Sequence, residues 1–216
     1  NATAVAPSRS RDGSTLLMIN SHQPLTGPVS WYEAHLQSGE GLNVMGGLFI
    51  GAPALGVGFN EHHGWGATVN QPDLVDVYVL EMDPEDDNRY RVDDEWLELE
   101  AFDIPIKVLL WGWLPWTVKE KGYRSIHGPV MKTDHGTYAL RYAGMDEVRQ
   151  VEQWLAMSAA TSFDEWREAM ALQHIASFNF VYANADGDIH FVHNAMMPRR
   201  VVGWQWDQYL PGDRRD

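Results

Sequence analysis

A short polar bend, Asn20-Ser21-His22, is the segment best suited to chemistry in this chain. It follows the apolar run Leu16–Ile19, and small residues alternate around Val5. These two segments predict a pair of strands joined across the turn signal Asp12-Gly13. The pairing returns the bend to a position beside Asn1. A chain end held in a sheet against Asn, Ser and His side chains is an arrangement that suits catalysis.

Four histidines are candidates for a zinc site: His62, His63, His190 and His193. Adjacent residues of a strand point to opposite faces, and strand residues three apart also diverge. No carboxylate motif of a zinc site accompanies these histidines. We therefore expect no catalytic zinc.

Composition excludes several classes of partner. The 216 residues contain 30 Asp and Glu against 16 Lys and Arg, a net charge of −14. This charge argues against nucleic acid and against an anionic membrane surface. The apolar content, with 10 Trp, is typical of a globular protein. Cysteine is absent from the sequence, which excludes disulfides and a thiol nucleophile.

The elements predict an α+β domain of antiparallel sheets with helices. Strand patterns dominate, including a hairpin at 90–106 and another that turns at Asp186-Gly187. Two helices interrupt them, one at 146–157 and one that opens with the capping box Ser162-Phe163-Asp164-Glu165. We expect a single domain over 1–216 that has been cut at both ends.

Five sequence blocks, in order and at typical spacing, carry a family resemblance. They are NATAVAPSRS, NSHQPLTGPVSWYEAHL, GFNEHHGWGATVNQPDLVDVYVL, SIHGPV and SFNFVYANADGDIHFVHNAMMPRR. With these blocks the chain resembles the amino-terminal part of the β chain of penicillin acylase-type enzymes. That family of N-terminal nucleophile hydrolases includes penicillin, cephalosporin and acyl-homoserine lactone acylases.

The resemblance implies an αββα fold and a catalytic Ser at the start of the β chain. In the family this Ser is usually followed by Asn, so we expect it immediately before Asn1. A vector-derived start at Asn1-Ala2 is the alternative. The expected partners are an α chain cut from the same precursor and the remainder of the β chain. Members of the family are usually exported, which predicts a periplasmic or secreted location.

Four residues match site positions of the family. His22 matches the His that orients the nucleophile, and the backbone N–H of Val69 matches an oxyanion donor. Gln23 and Val57 match positions near the acyl pocket. A second oxyanion donor, an Asn side chain, is expected beyond Asp216. Without the resemblance, His22 is typical of a loop and Val69 of a buried strand; Trp31 is expected in the core.

The resemblance also implies a structural Ca²⁺ and no organic cofactor. Asp73, the Val75 carbonyl and Asp76 match the calcium-binding segment, and the Pro198 carbonyl matches a further ligand. Carboxylate and carbonyl oxygens are the ligands that Ca²⁺ prefers. The alternative is a pair of surface aspartates at the start of a strand.

The implied function is hydrolysis of a linear amide that joins an acyl group to a β-lactam nucleus, a homoserine lactone or a similar amine. Two alternatives remain: an inactive acylase homologue, and a non-catalytic Trp-rich β module that binds carbohydrate or protein. The segment 111–116, WGWLPW, is expected to pack in the ordinary way, to cover a pocket or to contact a partner chain.

Overall fold

The computed structural model describes residues 1–215, which form two α-helices and seventeen strands. In chain order, the first strands are β1 (Ala2–Val5), β2 (Leu16–Ile19), β3 (Trp31–Gln37), β4 (Asn43–Phe49), β5 (Val57–Phe59) and β6 (His63–Thr68). They are followed by β7 (Val75–Leu80), β8 (Met82–Asp83), β9 (Asp86–Val92), β10 (Glu95–Glu98), β11 (Glu100–Leu110), β12 (Leu114–Ser125), β13 (Gly128–Thr133) and β14 (Gly136–Tyr142). The last elements are α1 (Gln150–Ala159), α2 (Phe163–Ala171), β15 (Ser177–Asn184), β16 (Ile189–Ala195) and β17 (Leu210–Pro211).

The chain divides into two compact units, where a single domain was expected. The first unit comprises Asn1–Asp73 and Asp146–Met197, and the second comprises Leu74–Met145 and Pro198–Asp216. Neither helix of residues 1–215 has the length and apolar character needed to cross a membrane.

The first unit is layered. Its six-stranded antiparallel sheet has the order β16-β15-β6-β5-β4-β3, and β1 and β2 form a separate ribbon. The ribbon packs closely against the sheet at two glycines of β6. At one of them, Gly66, an added Cβ would lie only 2.7 Å from the Ile19 side chain. The opposite face of the sheet packs on the helices through Trp65, Trp166 and Tyr182, which are fully buried. Helices on antiparallel sheets confirm the predicted α+β class.

The two helices begin for different reasons. The Ser162 side chain accepts a 3.2 Å hydrogen bond from the Glu165 N–H, which confirms the predicted cap of α2. The Glu165 carboxylate accepts one from the Thr161 N–H at 2.7 Å, and together these bonds occupy free backbone donors. α1 begins at Gln150, four residues later than predicted, and lacks a side-chain cap.

The second unit contains a six-stranded sheet of order β11-β12-β13-β14-β7-β17 and a three-stranded sheet of order β10-β9-β8. Buried side chains such as Tyr78, Tyr90 and Val92 form its core. The hairpin predicted at 90–106 is wrong in extent, because β9 pairs only with β8 and β10 and turns back at Asp93, whose φ is +53°. β11 instead pairs with β12.

Candidate active site

The first residue of the chain is held by an antiparallel pair of hydrogen bonds. The Asn1 nitrogen donates to the Asn20 carbonyl at 2.6 Å, and the Asn20 N–H donates to the Asn1 carbonyl at 2.7 Å. β1 and β2 continue this ladder from Ala2↔Ile19 to Val5↔Leu16. The predicted strand pair is therefore confirmed, and it brings the start of the chain beside the polar bend.

The bend itself, residues 20–22, is fixed from two sides. The Ser21 hydroxyl donates to the carbonyl of Ala67 in β6. The indole N–H of Trp31, at the start of β3, donates to the Ser21 carbonyl at 3.3 Å. These bonds fasten the backbone on which His22 stands, while the His22 side chain is exposed and faces an open cleft.

The cleft has a volume of about 340 Å³ and lies wholly within the first unit. Its polar lining includes Asn1, Ser21, His22 and Gln23. Its apolar walls are two aromatic pairs. Trp31 and Phe49 stack with ring centroids 4.6 Å apart, and Trp154 meets Phe178 edge-on at 6.1 Å. Such a cleft suits a ligand with an apolar group at one end and a reacting polar group at the other.

Val69 lies at the mouth of the cleft, directly after β6. Within residues 1–215 its backbone N–H has no hydrogen-bond acceptor, whereas its carbonyl accepts a 3.2 Å bond from the Asn179 amide. The Asn179 oxygen lies 2.9 Å from His193 Nδ1, so this imidazole nitrogen carries the proton. A fixed N–H without an acceptor is the group that an oxyanion site requires.

A buried amide network holds this position. The Asn70 side chain donates to the Asn194 carbonyl at 2.8 Å and accepts from the Ser177 hydroxyl at 2.7 Å. The Asn194 amide donates to the Ile175 carbonyl at 2.8 Å. The network therefore ties the residue after Val69 to both β15 and β16. No pattern in the sequence singled out Asn70 or Asn179, since the bonds that join the two sides of the network link residues more than a hundred positions apart.

The predicted site residues fall into three groups. His22, Gln23 and Val69 line the cleft together with Asn1. Trp31 lines it as well, where core packing was expected. Val57 lies outside the lining; it borders a second, more open depression of about 630 Å³ that also includes His62 and His63.

His63 behaves as a structural histidine. Its Nε2 lies 3.1 Å from the Met157 carbonyl, and its ring stacks on Tyr182. Burial lowers the pKa of His63 to about 4, so the ring is neutral at pH 7. Among residues 1–215, no group of three or more His, Cys, Asp or Glu side chains is placed to hold a metal.

The predicted calcium segment contains one buried aspartate that pairs with a cation. Asp73 ends the first unit, whereas Val75, Asp76 and Pro198 belong to the second. Asp76 is buried, and its Oδ1 accepts a 2.7 Å charge-assisted hydrogen bond from Arg200. A Ca²⁺ ion needs six to eight oxygens with little competing cation, so Asp76 as placed does not fit that role. The calcium site stays a prediction of the resemblance, and the reaction proposed for the cleft does not require it.

Comparison with known proteins agrees with this geometry. The family model for penicillin amidase matches residues 1–216. An acyl-homoserine lactone acylase, PvdQ, from Pseudomonas fluorescens (strain Pf0-1) is 29% identical over 206 residues, covering 92% of this chain and 26% of the relative. Penicillin G acylase from Escherichia coli is 26% identical over 227 residues, covering 98% of this chain and 26% of the relative.

A solved structure extends the comparison to the fold. Thermostable penicillin G acylase from Alcaligenes faecalis superposes with a TM-score of 0.83 at 26% identity, over 98% of this chain and 38% of that chain. The chain spans about a quarter of the length of the curated relatives it matches.

Proposed function

Because the chain belongs to the penicillin amidase family, we propose that it is part of an acylase that hydrolyses a linear amide. It shares the fold of an N-terminal nucleophile hydrolase, penicillin G acylase. The observation that carries the proposal is the cleft of the first unit, which combines the start of β1, His22 and the N–H of Val69. An amidase needs a nucleophile, a base and an oxyanion donor around one reacting carbon.

The strand register indicates where the nucleophile would lie. Asn1 and Asn20 form a hydrogen-bonded pair, so a residue before Asn1 would face Ser21 in a non-hydrogen-bonded pair. In such a pair the side chains are closer and the backbone nitrogens point away from the partner strand. A Ser at this position would stand beside His22, and its amino group would be free of the ladder.

The proposed reaction uses that amino group as the base. The Ser hydroxyl attacks the amide carbon and passes its proton to its own amine, whose unperturbed pKa is about 7.7–8.0. The C–N bond then breaks, and the leaving amine takes this proton. Water attacks the resulting ester and loses a proton to the amine. The ester C–O bond then breaks, the amine returns this proton to the Ser oxygen, and the acyl group leaves as a carboxylic acid. His22 orients the Ser and its amine.

The Val69 N–H would bind the oxygen that becomes negative during both attacks. One such donor contributes about 2.7–4 kcal/mol to transition-state stabilisation. The Asn179 amide supports this role, because its bond to the Val69 carbonyl fixes the orientation of the adjoining backbone. The side chain of Val69 takes no part in it.

The aromatic walls favour an apolar acyl group. Trp31, Phe49, Trp154 and Phe178 surround the space next to the bend, and no Asp, Glu, Lys or Arg side chain lines the cleft within residues 1–215. A phenylacetyl group or an alkyl chain suits this lining, whereas a glutaryl carboxylate would be buried without a partner. The leaving amine remains open between a β-lactam nucleus, a homoserine lactone and similar amines.

The partners follow from the same proposal. An α chain from the same precursor and the remainder of the β chain would complete the enzyme, and export to the periplasm is the proposed location.

Hydrolysis of a p-nitroanilide panel by the full-length protein tests the proposed activity. Phenylacetyl and hexanoyl to dodecanoyl anilides should release p-nitroaniline, and the glutaryl anilide should not. A flat response across the panel would contradict an amidase with an apolar acyl pocket.

A further inference from the structure

The second unit carries a long two-stranded arm. β11 pairs with β12 along its whole length of 11 residues, from Glu100↔Arg124 to Leu110↔Leu114. A tight turn closes it at Trp111 and Gly112, whose φ angles are +54° and +79°. At about 3.4 Å per residue the arm is roughly 34 Å long.

The end of this arm, residues 108–116, is here called the apolar tip. Its sequence is VLLWGWLPW, in which the indole N–H groups are the only polar side-chain atoms. The side chains are strongly exposed: Trp111 to 80%, Trp113 to 71% and Leu109 to 64%. Exposure of this extent, in one contiguous apolar segment, marks a binding surface.

The tip is apolar on both faces of the ribbon. Successive strand residues alternate between faces, so one face of the tip carries Val108, Leu110, Leu114 and Trp116, and the other carries Leu109 and Pro115. A groove on a protein would cover one face of a ribbon. The interface of a lipid bilayer surrounds an inserted tip on every side, and this favours lipid as the occupant.

Lysines lie on both strands next to the tip, on the side toward the base of the arm. Residues 104–119 contain Lys107 and Lys119 and no Asp or Glu, in a chain with a net charge of −14. Asp103, on the same face of the ribbon, pairs with Lys121 at 2.7 Å and with Lys119 at 3.8 Å, and the Lys119 side chain remains 71% exposed. Trp at the level of the headgroups with Lys behind it is the arrangement of interfacial membrane anchors.

The dimensions fit a shallow insertion. Three residues on each strand of the tip extend about 10 Å, close to the depth of about 5–10 Å that interfacial elements reach. The outer edges of the ribbon carry unpaired backbone groups that need water, which opposes deeper entry.

We propose that the apolar tip inserts into the headgroup region of a bilayer that contains anionic lipid, with Lys107 and Lys119 against the lipid phosphates. The net charge of the chain predicts the opposite, no membrane partner. The local charge differs because the nearest carboxylates, Asp103 and Glu120, lie about 14–17 Å along the arm from the tip, beyond the Debye length of about 8 Å in physiological salt.

Flotation of the full-length protein with lipid vesicles tests this proposal. The wild type should float with vesicles of phosphatidylcholine and phosphatidylglycerol, and more weakly with phosphatidylcholine alone. Trp111→Ser with Trp113→Ser should weaken binding by at least about tenfold, because both rings lose their apolar contact with lipid. Lys107→Glu with Lys119→Glu should remove the preference for phosphatidylglycerol. Trp96→Ser, at an exposed Trp of β10 in the same unit, is the matched control and should bind like the wild type.

Three results would overturn the proposal. The first is a wild type that fails to bind either vesicle, and the second is a Trp111→Ser/Trp113→Ser variant that binds as well as the wild type. The third is a loss of thermal stability in that variant without vesicles, which would place the tip against another part of the protein.

Discussion

The backbones of Asn1 and Asn20 exchange two hydrogen bonds, of 2.6 and 2.7 Å, at the end of the β1–β2 ribbon. This pair aligns the position before Asn1 with Ser21, beside the bend that carries His22. The geometry of the proposed catalytic centre therefore depends on a short ribbon that contacts the sheet through Ile19 and Ser21.

Replacing His22 should reduce catalysis without disturbing the fold. In the active full-length enzyme, His22→Gln should lower kcat by about 10²-fold and leave KM nearly unchanged, because the orientation of the nucleophile is lost while the acyl walls remain. His35→Gln is the control, since His35 is also exposed in the first unit and contacts Asn43 at 2.7 Å. Equal kcat values for the wild type and His22→Gln would remove His22 from the site.

A methyl group on Gly66 should displace the ribbon. Its Cβ would stand 2.7 Å from Ile19, the residue that precedes Asn20 and the bend. Gly66→Ala should cost about 1–3 kcal/mol of unfolding free energy and lower activity further than this loss explains. Gly39→Ala is the control, because a Cβ there meets open space. Urea titration measures the loss of stability, and an activity assay under conditions where both proteins are fully folded measures the loss of catalysis. A Gly66→Ala enzyme with lower stability but full activity would show that the position of the ribbon does not affect catalysis.

The ion pair with Arg200 should stabilise the buried Asp76 carboxylate even when no calcium is present. Arg200→Met leaves a buried carboxylate unpaired and should cost about 3–5 kcal/mol of unfolding free energy, whereas the exposed Arg199→Met should change little. Thermal melts of the full-length wild type should coincide in EGTA and in CaCl₂. A melting temperature that falls in EGTA and recovers with Ca²⁺ would instead support the calcium site.

Burial of His63 should make stability depend on pH. Its pKa falls from 6.5 in the unfolded chain to about 4 in the folded state, so the unfolded state binds more protons between these values. The free energy of unfolding therefore has its full value above pH 6.5. As the pH falls toward 4, it decreases by at most about 3 kcal/mol because of His63. His63→Phe should flatten the unfolding free energy over this range relative to the wild type, and the exposed His62→Phe should not. Parallel pH profiles for all three proteins would contradict the shift.

Local patterns predicted several elements correctly. The β1–β2 pair, the Ser162 cap of α2 and the hairpin at Asp186-Gly187 all depend on residues close in sequence. The hairpin predicted at 90–106 failed because Asp93 adopts a positive φ and turns the chain early, a conformation that periodicity does not reveal.

Long-range contacts explain what the sequence did not predict. The aromatic walls and the Asn70–Asn194 bond join residues far apart in the chain, and the bond spans 124 positions. The Asp76–Arg200 ion pair spans the same separation, so no local pattern around Asp76 indicated it. His22, Gln23 and Val69 were placed by resemblance, which already contains such long-range information.

Amino-terminal sequencing of the β chain from active full-length enzyme tests the central claim most directly. The resemblance to the family predicts a Ser immediately before Asn1, with a free amine, and loss of amide hydrolysis when that Ser is changed to Ala; the pairing of Asn1 with Asn20 would place this Ser opposite Ser21. An active enzyme with another residue at that position, or with an uncut peptide bond before it, would contradict the account.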